Sequence, residues 1–231
     1  QAPQLGIFEK KYCFKMKHLN KTKSILFLLL FTSLVYSQQY EKLTNQEKEL
    51  ILTDSTQMMR VTQTKFHNDS IILKSVSKPI NPKDKLTKVL AKRMLKSVMD
   101  PNRRGVGIAA PQVGINRRMV LVQRFDKENK PFEVFINPEI IWRSDLWQKG
   151  PEGDLSFDER GMIMRHYSVQ VQYYNVKGEK IIEILEGFTA VIFQHERDHL
   201  DGILLIDKQK EQENLKFKPS TTTDNLYFIE P

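Results

Sequence analysis

Gln194-His195-Glu196-Arg197-Asp198-His199 is the stretch that decides how this chain is read. Two histidines stand four residues apart, with a glutamate directly after the first. On an α-helix, residues i and i+4 share a face, so both imidazoles reach one metal ion. Glu196 points away from that face but stays close enough to move a proton to or from a water at the ion. Upstream, Phe188, Val191 and Ile192 join His195 and His199 in an i, i+3, i+4, i+7, i+11 stripe. That period predicts a helix with one distinct face. A surface helix that carries two histidines without an ion fits the bare spacing too, so the rest of the chain must decide.

Two further segments bear on it. Gly105-Val106-Gly107-Ile108-Ala109-Ala110-Pro111-Gln112 is a Gly/Ala-rich run that permits close backbone approach and ends in a polar amide. Glu152-Gly153-Asp154-Leu155-Ser156 reads as a tight acidic turn. Each is weak alone. In this order the three segments resemble the peptide deformylase family, which shows G-x-G-x-A-A-x-Q, then E-G-C-L-S, then Q-H-E-x-D-H. The resemblance runs from about Asp69 to Asp207.

The resemblance implies an α+β fold with mostly antiparallel sheets around a central metal-binding helix. It implies hydrolysis of the N-formyl group of formyl-methionine peptides, or of other N-acylated peptides, by metal-activated water. Asp154, His195 and His199 would hold one divalent metal ion, Fe2+ or Zn2+. Glu196 would transfer the proton. The Gln112 amide and the Leu155 backbone N–H would stabilise charge on the carbonyl oxygen. Val106, Gly107, Phe188, Val191 and Ile192 would line an apolar pocket for a methionine-like side chain, although Val191 and Ile192 fit a plain core equally. Arg165 matches an arginine that follows the second motif and either contacts the peptide backbone or solvates a strand edge. Glu152 and Gly153 shape the turn that presents Asp154. Asp198 and Asp201 read as exposed helix charges, with orientation of a histidine as the alternative.

One departure stands out. The family's metal-binding cysteine is Asp154 here, and Cys13, the single cysteine, lies outside the matched region. A hard carboxylate replaces a soft thiolate. Two histidines and a carboxylate form a zinc set in hydrolases and a ferrous set in oxygenases. The opposite reading is a degenerate site, in which the fold survives as a non-catalytic peptide-binding relative. A third reading is an exported metalloprotease of the His-Glu-x-x-His type. It needs another ligand downstream of His199, and the candidates Glu211 and Glu213 lie in the expected tail.

The 231 residues are 40% hydrophobic and 28% charged, as in an ordinary globular domain with flanking segments. Net charge is +8, but residues 1–37 carry six lysines against Glu9. Most of the excess therefore belongs to that leader, and nucleic acid binding is not expected. Met16-Lys17-His18-Leu19-Asn20-Lys21-Thr22-Lys23 is basic, and an apolar run from Ile25 to about Tyr36 follows it. The run is shorter than the roughly 18–20 residues that span a bilayer. With Val35 and Ser37 at the small positions, it reads as a secretory signal peptide, preceded by an extension at 1–15. The expected product is periplasmic or secreted, with no stable membrane anchor and no cysteine.

The organisation expected is an extension and signal peptide at 1–37, a linker at 38–68 with a short helix around Asn45–Leu52, a catalytic domain at 69–207, and a loose polar tail at 208–231. Leu73–Ile80 reads as extended, Lys85–Met99 as helix, and Met119–Phe125, Phe132–Ile136, Ser168–Val176 and Lys180–Leu185 as strands. Ile203–Ile206 reads as a short final strand after Gly202 closes the metal helix.

Overall fold

A computed structural model describes residues 40–230. The extension and signal peptide expected at 1–37 lie outside the described residues. The first helix, α1 (Asn45–Leu52), is closed by a capping box. Thr44 Oγ1 accepts from the Glu47 N–H at 3.1 Å, and Glu47 Oε2 accepts from the Thr44 N–H at 2.7 Å. The helix α2 (His67–Leu73) ends at the first residue of the stretch expected to be extended. Asp84 caps α3 (Lys85–Val98), whose Leu90, Met94 and Val98 are fully buried.

The strands that follow are β1 (Gly107–Ala109), β2 (Met119–Gln123), β3 (Phe132–Arg143), β4 (Trp147–Glu152), β5 (Gly161–His166), β6 (Ser168–Tyr174) and β7 (Lys180–Glu186). A 3-10 turn, Ala110–Val113, separates β1 from β2. The metal-motif helix α4 (Gly187–Leu200) and α5 (Leu205–Gln212) follow, then β8 (Phe217–Pro219) and β9 (Leu226–Ile229). One sheet runs β1-β2-β3-β6-β7 and the other β5-β4-β9-β8, with every strand pair antiparallel.

The first sheet is buried on both faces where β1 and β2 lie, so their residues sort by parity. Ile108, Met119, Leu121 and Ile136 pack with α3. Ala109, Val120, Val122 and Phe135 pack with Ala190, Ile192, Phe193 and Leu200 of α4. Among the described residues helix α4 is therefore central, held between the sheet and β5. The fold is α+β with antiparallel sheets around that helix, as the sequence implied.

Three expectations need correction. Residues 40–68 are no linker: Leu43, Ile51, Met59 and Thr62 are buried. Two buried arginines pin the segment. Arg117 donates to both Glu47 oxygens at 2.7 and 2.8 Å, and Arg93 donates to the carbonyls of Leu50, Ile51 and Gln57. The anchors come from distant parts of the chain, so local polarity hides them. Likewise 208–230 is no loose tail. Gln212 bridges the Met164 N–H and carbonyl at 3.0 and 2.8 Å, and β9 extends the second sheet beside β4. Ile203–Ile206 is not a strand, because α5 begins at Leu205. Among the described residues no helix is long and apolar enough to cross a membrane.

Candidate active site and metal centre

Gly187, at φ +56°, lets the chain turn from β7 into α4 without the strain a side chain would meet there. The helix then presents Phe188, Val191, Ile192 and His195 to one cleft of about 550 Å³. Val106 and Phe188 stand exposed at its mouth, and Val191 is half-buried. Ile192 belongs to both the cleft wall and the core cluster under α4. Gly107 forms the opposite wall. A Cβ there would come within 2.4 Å of Glu196 Oε1 and 2.7 Å of Ile192 Cγ2. The glycine is required by the close approach of β1 to α4.

Asp154 arrives from the loop after β4. Its two oxygens face different partners. Oδ1 accepts from the Ser156 N–H at 2.6 Å and from Gln112 Nε2 at 3.0 Å. Gln112 is fixed in turn, since its Oε1 accepts from the Ala109 N–H at 2.9 Å. Oδ2 is left facing the histidines, 3.1 Å from His199 Nε2 and 3.8 Å from His195 Nε2. Ligand atoms of Asp154, His195 and His199 lie within 4.8 Å of one another.

Behind the histidines lies a buried ion network. His195 Nδ1 is 2.9 Å from Glu152 Oε2, which fixes the ring and aims Nε2 at the cleft. Glu152 accepts two hydrogen bonds from Arg165, at 2.8 and 2.9 Å, and Arg165 also pairs with Asp198. This corrects two expectations. Arg165 neither touches the cleft nor solvates a strand edge; it is 3% exposed beneath the site. Asp198 is buried, not a solvated helix charge. Asp201 lies further along, paired with Arg118 and Arg197 at 2.9 Å each. Glu152 opens the second motif, yet its contact with a histidine 43 residues away is visible only in three dimensions.

The electrostatics favour a cation. Burial opposes charge on Asp154, but His199, His195 and the Ser156 N–H outweigh it and hold the carboxyl below the usual range. Burial also opposes charge on Glu152, yet Arg165 and His195 bring it down to about 2. His195 is pushed the other way. Burial disfavours its charge, and the Glu152 hydrogen bond with the Glu196 and Asp154 carboxylates overrides that, to about 9. Three carboxylates that favour a proton on His195 favour a metal ion in its place. Asp154 Oδ2, Glu196 Oε2 and both His199 ring nitrogens are buried without a hydrogen-bond partner. Orphaned buried groups cost about 1–3 kcal/mol each, and a divalent ion answers that deficit for the ligand atoms. The donor set fits a divalent metal.

Glu196, 4% exposed, is raised to about 7, chiefly by burial and against the pull of His195 and His199. A carboxylate poised near neutrality can both take and return a proton. Leu155 keeps its backbone N–H free of any acceptor among the described residues, while its carbonyl accepts from Gln63 at 2.9 Å. Glu211 and Glu213 lie outside the ligand cluster, whose third member is Asp154, so the metalloprotease reading lacks its downstream ligand.

A buried two-histidine, one-carboxylate cluster at a cleft, flanked by a near-neutral glutamate, is the site of a metal-dependent hydrolase. Comparison with known proteins places the chain more narrowly. Residues 58–215 match the Polypeptide deformylase family. A peptide deformylase of Thermotoga neapolitana is 42% identical over 145 residues, covering 62% of this chain and 85% of that protein. One of Halalkalibacterium halodurans is 37% identical over 152 residues, covering 59% and 82%. A Met-Ala-Ser-bound class I type b peptide deformylase of Acinetobacter baumannii superposes with a TM-score of 0.58 at 35% identity, covering 65% of this chain and 98% of that one. The Thermotoga maritima peptide deformylase gives 0.58 at 35%, covering 65% and 97%. This chain belongs to the peptide deformylase family.

Proposed function

We propose that this chain removes the N-formyl group from peptides that begin with formyl-methionine, releasing formate and a free amine. The observation that carries this reading is the convergence of Asp154 Oδ2, His195 and His199 beside the partnerless Glu196 carboxylate at the cleft. A divalent ion held by Asp154, His195 and His199, ferrous iron or zinc, would supply Lewis-acid activation of water.

The chain's own residues do the rest. Glu196 takes the water's proton and returns it to the amine nitrogen as the C–N bond breaks. The free N–H of Leu155 and the Gln112 amide face charge that develops on the formyl oxygen. Each such donor is worth about 2.7–4 kcal/mol in comparable sites. Gln112 gives one N–H to Asp154 and keeps the second for this purpose. Val106, Gly107, Phe188, Val191 and Ile192 receive the unbranched apolar side chain.

The Asp154 carboxylate suits an exported enzyme, because it cannot be oxidised as a thiolate can. The leader at 16–37 supports secretion or a periplasmic location. The test is an assay with formyl-Met-Ala-Ser on anaerobically purified protein, with metal content measured on the same sample. Stoichiometric metal and formate release are expected. Absence of metal together with absence of formate release would defeat the catalytic reading and leave a peptide-binding relative with a degenerate site.

A further inference from the structure

Among the described residues strand β7 closes one side of the five-stranded sheet and pairs only with β6. Among the described residues its far edge makes no backbone hydrogen bond. Solvent-facing edges are normally protected by charge, proline or a bulge, because an open edge templates another strand. Here the outward face of β7 reads Lys180, Ile182, Ile184, Glu186. Ile182 and Ile184 are 52% and 54% exposed. The register carries the apolar character inward: Ile184 lies opposite Gln170, and Gln170 opposite Trp142, itself 50% exposed. Lys180 and Glu186 form no ion pair among the described residues.

The geometry points to a second copy of this chain as the partner of this face, added along β7 in antiparallel register about a two-fold axis at Glu183. The strand is self-complementary in that register. Lys180 meets Glu186 of the partner subunit, and Ile182 meets Ile184 of the partner subunit. The two-fold repeats each pair. Opposite charges and apolar pairs directly across an antiparallel ladder are the favourable cases. The one like-charge pair, Glu183 with its copy, falls on the inward face. There Arg124 donates to its carboxylate at 2.9 and 3.1 Å, and the Tyr173 hydroxyl donates at 2.6 Å. The joined sheets would have ten strands and bring the two Trp142–Ile184 rows together on one face.

Sedimentation velocity on the purified chain, from about 1 to 100 µM, tests this. A concentration-dependent dimer is expected. Ile184→Glu should leave a monomer, with unchanged circular dichroism because the side chain is exposed. Lys180→Glu and Glu186→Lys should each raise the dimer dissociation constant roughly tenfold, since each reversal replaces two attractive pairs with repulsive ones. The double reversal restores complementarity and should return the constant to within about threefold of the parent. A monomer at every concentration overturns the proposal. So does a dimer indifferent to Ile184→Glu, or a double reversal no tighter than the singles.

Discussion

Glu196 is the residue whose burial and chemistry agree most closely. Glu196→Gln keeps the size and removes the proton exchange. It should retain metal and lose about 10²–10⁴-fold in turnover of formyl-Met peptides, the range for a positioned acid–base group. Unchanged turnover would assign the proton to another group. Glu152 acts one step back, holding the His195 ring and neutralising Arg165. Glu152→Gln should weaken metal binding about 10–100-fold, as loss of a ligand's orienting partner does. Competition with a chelator measures this directly, and wild-type affinity would show that the ring needs no such support. Asp154 is the residue that sets this chain apart. Asp154→Cys should still bind metal but lose activity on peroxide treatment, while the natural form keeps it, because only the thiolate oxidises. Equal inactivation of both would remove oxidation resistance as the advantage of the carboxylate.

At the scale of elements, the site depends on how closely β1 approaches α4. Gly107 sets that distance, with the space for a methyl already filled by Glu196 and Ile192. Gly107→Ala must push Glu196 or open the β1–α4 contact. Turnover should fall about tenfold or more from misplacement of Glu196 alone, since small displacements of a catalytic group carry that cost. The thermal midpoint should fall too, as overpacking costs about 1–3 kcal/mol. A crystal structure of the variant with Glu196 unmoved and full activity would contradict this account. The order of elements serves the same end. The turn after β4 delivers Asp154, and α4 delivers the histidines from the opposite side.

Across the whole molecule, buried arginines tie distant segments together. Arg124, 1% exposed, gathers Asp126, Glu133 and Glu183, with Lys127 and the Tyr173 hydroxyl alongside and Thr189 donating to Asp126. Hydrogen bonding from Arg124 lowers Asp126 to about 2 against the burial that opposes its charge. Its unfolded value is about 3.9. A carboxyl depressed in the folded state stabilises fully above the unfolded pKa and loses that contribution as pH falls through the folded one. Stability should therefore decline between about pH 4 and pH 2, and Asp126→Asn should flatten that decline. Urea midpoints at stepped pH give the slope; identical slopes for the parent and the variant would place the acid lability elsewhere.

Patterns that repeat along the chain determine much of this protein by themselves. The helical stripe ending in His195 and His199, the alternation in β6 and the period of α3 follow from local burial, which leaves its mark in neighbouring residues. The three motifs are equally legible, because each ligand or its turn occupies consecutive positions. Contacts that bring together residues far apart in sequence are not legible. Asp198 reads as a surface charge, since a charged residue is normally solvated, and Arg165 as a peptide contact or a strand-edge charge. Only the fold shows Glu152 between Arg165 and His195. The segments at 40–68 and 208–231 read as loose for the same reason, as their anchors are Arg93, Arg117 and the edge of β4. Periodicity records what each residue buries against a face. It carries no record of which distant partner neutralises a buried charge or completes a sheet, and that is decided only when the chain closes on itself.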